Sequence, residues 1–103
     1  MLHFNDGLYK EGIEYFLITD RFDFDSLWNI IQDVIKPTST GDYEITSWTE
    51  AISFKKDGLE FYFEEVYIEE PSVFTLRLLP FGKHSKDDEE KLKQIVELID
   101  QNI

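Results

Sequence analysis

The sequence contains no cysteine, which excludes disulfide frameworks, thiolate nucleophiles and cysteine-ligated zinc. Positive charge is scarce: 10 Lys and Arg stand against 22 Asp and Glu, a formal −12 at neutral pH. Nucleic acid and anionic membrane surfaces attract proteins through clustered Lys and Arg, so direct binding to either is not expected. No apolar run approaches the ~20 residues of a membrane-spanning helix. The opening MLHFNDGLYKEG has no basic segment leading into an apolar stretch, so no signal peptide is expected and cytoplasmic localisation is the default. His3 and His84 are the only histidines, and neither has a ligand partner at metal spacing, so no metal or other cofactor is expected.

Aromatic residues, by contrast, are plentiful. With 9 Phe, 5 Tyr and 2 Trp, and 42% of residues hydrophobic, the 103-residue chain can fill one core, and residues 1–103 read as a single globular domain. IEYFLIT at 13–19 is too short for a helix and rich in β-branched and aromatic types, which predicts a strand. In FDFDSLWNIIQDVIKP, Phe24, Leu27, Trp28, Ile31, Val34 and Ile35 keep helical spacing. Asp23 is placed to cap that helix, Phe22 to pack on Leu27, and Pro37 to stop it. PTSTGD then reads as a polar loop.

Asp57-Gly58, set between two alternating runs, predicts a two-residue type I′ hairpin. The turn fixes the register: Phe54 faces Phe61, Ser53 faces Tyr62 and Ile52 faces Phe63. Ile52, Phe54, Phe61 and Phe63 then share one face, and Ser53, Lys55, Glu60 and Tyr62 the other. Past Phe63 the apolar phase slips to Val66 and Ile68, which predicts a β-bulge at Glu64–Glu65. VFTLRLL at 73–79 is a further strand with Phe74, Leu76 and Leu78 inward. Ser85 and Asp88 have capping-box spacing for a last helix whose stripe is Leu92, Ile95, Val96 and Ile99. The expected fold is α+β: a two-layer sandwich with a mainly antiparallel sheet of four or five strands, two helices on one face, and the order β-α-β-β-β-β-α.

Catalytic patterns are missing. The Asp23-Phe24-Asp25 sequence has the spacing of an Asp-x-Asp nucleophile loop but lies three residues too far from its strand, and helix capping accounts for it. FGKHS lacks the upstream glycine of a phosphate loop, because Arg77 occupies that place. Arg77, Lys83 and His84 nonetheless gather positive charge beside a helix start and form a candidate anion-binding corner. No catalytic residue is assigned, and an enzyme is not expected.

The remaining feature is the acidic, tyrosine-bearing alternation LEFYFEEVYIEE. With the expected bulge, Glu60, Tyr62, Glu64, Glu65, Tyr67 and Glu69 form one outward surface. Tyr supplies contact area at low entropic cost, and carboxylates around it select a Lys/Arg-rich partner. Small acidic α+β chains are common in bacterial toxin systems. The leading expectation is therefore a protein-binding module, in one version an immunity protein or antitoxin that neutralises a basic nuclease-type toxin. The alternatives are a small-molecule-binding or enzymatic α+β domain and a homo-oligomeric module. Sequence does not choose between monomer and homodimer, although like charges facing across a two-fold axis argue mildly against the homo-oligomer.

Overall fold

A computed structural model of the chain describes residues 2–7, 14–67 and 70–103. Its elements run β1 (Asn5–Asp6), β2 (Glu14–Thr19), α1 (Phe24–Ile35), β3 (Ser39–Ile45), β4 (Thr49–Lys56), β5 (Leu59–Val66), β6 (Ser72–Leu79) and α2 (Lys86–Asp100). The strands form one open, antiparallel, six-stranded sheet in the order β1-β2-β6-β5-β4-β3. The α+β class is as expected, but the sheet has six strands rather than four or five. The extra one is β1, two residues too short to leave a periodic signal. β3 also begins inside the stretch that reads as a polar loop. It lies at the sheet margin with all of its residues exposed, so it needs no apolar alternation.

Both helices start where their caps require. An Asp23 carboxylate oxygen accepts the Ser26 amide at 2.7 Å, and the Ser85 hydroxyl accepts the Asp88 amide at 3.1 Å. Lys36 ends α1 in the left-handed region at φ 54°, directly before Pro37. Phe24, Leu27, Trp28, Ile31 and Ile35 of α1 are buried with Leu92, Ile95, Val96 and Ile99 of α2 in one cluster against the sheet. Aromatic rings fill its centre. Phe63 stacks on Phe24 at 5.1 Å and on Phe74 at 6.0 Å, while Phe54 lies 5.1 Å from Phe61 and 5.4 Å from Trp28. At the far edge the Phe4 amide donates to an Asp100 carboxylate oxygen at 2.7 Å, tying the first described segment to the end of α2.

Asp57 and Gly58 both take positive φ, 52° and 80°, as a type I′ turn demands. The β4–β5 register follows from that turn as expected, from Lys56↔Leu59 through Phe54↔Phe61 to Ile52↔Phe63. The expected bulge is absent. The ladder runs unbroken to Glu50↔Glu65 and Thr49↔Val66, so Glu65 turns toward the helices and Val66 toward the open face. Both placements have local reasons. Glu65 is only 8% exposed but sits by the Ser72 hydroxyl and the first amide of α1, at Phe24, both of which favour its ionised form against the cost of burial. Val66 faces Val73, which in turn faces Ile18, so an apolar row crosses the open side. Ile68 lies outside the described residues.

The register does shift elsewhere, in β3. Between the pairs Thr40↔Phe54 and Tyr43↔Ile52 the edge strand carries one more residue than β4. Gly41 sits there, and a Cβ added to it would fall 2.2 Å from the Ser53 hydroxyl oxygen. Glycine lets the edge strand close on its neighbour at this point.

Candidate partner-binding face

The helices cover one side of the sheet and leave the other open. Cross-strand pairing decides which side chains share that open side. Glu14 pairs with Arg77, Arg77 with Tyr62, and Tyr62 with Ser53; the rows flanking this one hold the pairs Thr75 with Glu64 on one side and Leu79 with Glu60 on the other. Asp42 and Glu44 of β3 extend the surface to the sheet margin, where they line a shallow groove of about 350 Å³ with Ser53, Glu60, Tyr62, Leu79 and Phe81.

Arg77 organises the centre. One of its terminal nitrogens lies 3.1 Å from a Glu14 carboxylate oxygen and the other 3.9 Å from one of Glu64. Its guanidinium also sits 4.0 Å from the Phe81 ring centre and 5.5 Å from that of Tyr62. Tyr62 and Phe81 meet edge-to-face at 5.6 Å, giving an aromatic corner with the guanidinium against it. Phe81 is 59% exposed, so most of the ring stays open to a partner. Among the described residues, the Arg77 Nε and the Thr75 hydroxyl are buried without a hydrogen-bond partner.

Burial is the main force on the local acids. It pushes the Glu64 carboxyl above its ordinary range, opposed chiefly by Arg77, and raises the Tyr62 hydroxyl with help from the Glu64 and Glu44 charges. Among the described residues, Arg77 makes both of the ion pairs found, so Asp42, Glu44 and Glu60 are left without an ion-paired cation. Lys55 faces Glu60 across the ladder and is a second basic side chain on this side.

The structure redistributes the expected surface. Glu60, Tyr62 and Glu64 share the open face. Glu65 does not, because the unbroken ladder turns it inward. Tyr67 is also elsewhere: its hydroxyl donates to the Thr46 carbonyl at 2.7 Å, and its amide donates to the Trp48 carbonyl at 3.0 Å, bracing the β3–β4 turn. Glu69 lies outside the described residues. In the anion-binding corner, the Arg77 guanidinium is engaged by carboxylates on the open face. A His84 ring nitrogen lies 2.7 Å from the Pro80 carbonyl oxygen, and Lys83 is exposed in the same loop.

Phe81, Glu14, Asp42 and Glu44 join the face without having been signalled. Phe81 carried no clue: β6 ends at Leu79, which faces Glu60, and the ring reaches Tyr62 from the segment that follows the strand, outside its register. Asp42 carried none, because it lies in the stretch that reads as a polar loop, and Glu44, in the strand expected after that loop, had no turn nearby to fix its register against this face. Among the described residues, no group of three or more His, Asp or Glu side chains is arranged to hold a metal ion, and no helix is long and apolar enough to cross a membrane. Comparison with protein-family models, curated proteins and solved structures finds no match for the chain.

Proposed function

We propose that this chain is a small cytoplasmic binding protein that captures a basic protein on its open sheet face. One observation carries the reading: Glu14, Asp42, Glu44, Glu60 and Glu64 gather around the rings of Tyr62 and Phe81, with Arg77 and Lys55 among the described residues to offset them. A flat sheet needs only polar cover to stay solvated. Exposed aromatic rings inside a carboxylate field have another use, since they receive cations that are losing their water. Arg77 supplies the pattern within the molecule, its guanidinium held against a ring and between two carboxylates. A partner's arginine or lysine has the same chemistry available at the free part of Phe81 and the groove beside it. Neutralisation of a cationic toxin, with carboxylates standing where phosphates would bind, is the concrete form of this reading.

The test is capture from the native cell at low and high salt, with the bound protein identified and re-measured in purified form. Association should slow as salt rises. Reversal of Glu60 and Glu64 to Lys, or Phe81→Ala, should weaken capture by about tenfold or more. Capture that ignores both salt and these changes sinks the proposal.

A further inference from the structure

β3 is the margin of the sheet and pairs only with β4. Its residues are all exposed, including Tyr43 at 51% and Ile45 at 62%, and Trp48 in the adjoining turn is 59% exposed. The opposite margin, β1, is two residues long. Among the described residues β3 is thus the longer open edge, and it is bordered by Tyr43, Ile45 and Trp48, each more than half exposed.

The ladder shows which backbone groups are free. The Thr46 amide donates to the Thr49 carbonyl at 2.8 Å, which makes that pair a hydrogen-bonded one. Hydrogen-bonded and non-bonded pairs alternate along an antiparallel ladder, so the amides and carbonyls of Tyr43 and Ile45 point away from β4. Side chains alternate too. Asp42 and Glu44 point to the open face, where they line the groove beside Tyr62, while Tyr43 and Ile45 point to the helix side. Tyr43 is held there by contact with Phe24 and by its hydroxyl, which donates to Glu50.

We infer that β3 accepts an extended segment of the basic partner as a seventh strand, one that reads basic at every second position and apolar between. Its basic side chains would lie over Asp42 and Glu44, and its apolar ones against Tyr43, Ile45 and Trp48. A second copy of this chain fits worse. Pairing β3 with itself brings the Asp42 and Glu44 carboxylates of both copies together, the kind of repulsion by which natural edges resist self-association. The extra residue at Gly41–Asp42 limits the pairable length to the stretch ending at Ile45. The inference rests on the reading of the chain as a binder of basic protein, and it specifies where and in what conformation that protein is held.

The test uses the intact chain and the peptide Lys-Val-Lys-Val-Lys-Val-Lys, with two isomers N-methylated on alternate residues so that each blocks one edge of the peptide. Binding of the parent and of one isomer only, with amide exchange at Tyr43 and Ile45 slowed about tenfold, is the expected result. The variant Asp42→Lys with Glu44→Lys should lose that binding. Equal binding by both isomers, or binding of the contiguous arrangement Lys-Lys-Lys-Lys-Val-Val-Val as tightly as the alternating one, would overturn strand addition but leave the acidic face as a binder. Failure of every basic peptide at low salt would overturn both.

Discussion

The two faces of β5 differ at every step, and the difference shows what fixes a face. Phe61 and Phe63 point to the helices and are fully buried, while Glu60, Tyr62 and Glu64 point the other way and stay partly open. At the end of the strand the chemistry inverts: Glu65 lies inside and Val66 outside. Hydropathy alone would insert a residue to avoid that inversion. The ladder does not, because breaking a row of backbone hydrogen bonds is avoided when a carboxylate can find donors at a helix start and a valine can find an apolar row.

The contrast can be tested by perturbing each side in turn. The largest effect belongs to Phe63→Ala, which empties the space between Phe24, Trp28 and Phe74; a loss of about 3–5 kcal/mol is expected in a urea unfolding series. Next comes the turn that sets the register. Gly58→Ala meets no atom within 4 Å, so its cost is the strained φ alone, about 1–2 kcal/mol by the same assay. Val66→Lys decides the phase directly. On the open face it should cost no more than about 1 kcal/mol, whereas a loss as large as that of Phe63→Ala would place Val66 in the core and restore the bulge.

The smallest effect is in the pH profile. Burial raises the carboxyls of Glu64, Glu65 and Asp100 above their unfolded values. A group shifted that way binds more protons when folded, so its ionised form costs stability. That cost is absent below the unfolded value and complete above the folded one. Acidifying from neutral into the window just above the ordinary carboxylate range should therefore raise the melting temperature. Asp23 has the opposite sign: its carboxyl is held low by the Ser26 hydrogen bonds, and its contribution is lost in stronger acid. Glu65→Gln should flatten the rise in the mildly acidic window, and a profile unchanged by that substitution would argue against an inward Glu65.

Legibility in the sequence followed the strength of local chemistry. The caps at Asp23 and Ser85, the Asp57-Gly58 turn and the two helical stripes each leave several agreeing signals within a few residues, and all appear in the fold. β1 and the start of β3 left no such trace, since a margin strand is held by backbone pairing and its side chains need not alternate. The candidate face was half legible for the same reason. Residues close to the hairpin turn inherited its register, so Glu60, Tyr62 and Glu64 were placed together. Glu65 and Tyr67 lay beyond the assumed bulge, Asp42 and Glu44 arrive through strand neighbours that only the folded sheet defines, and Phe81 arrives from the segment after β6.

The strand order also sets a timetable. β3 to β6 neighbour one another in sequence and can close as successive hairpins, the shortest routes a chain has to antiparallel structure. β2 is different: it docks on β6 across α1 and the whole meander, and its Glu14 meets Arg77 over a separation of 63 residues. The entropy of closing so long a loop defers that pairing until the meander offers a surface to receive it. Truncating Leu17 should accordingly speed unfolding more than it slows refolding in a stopped-flow chevron, and the reverse outcome would make β2 part of the nucleus. The open face is then completed last, when Glu14 reaches the guanidinium at its centre.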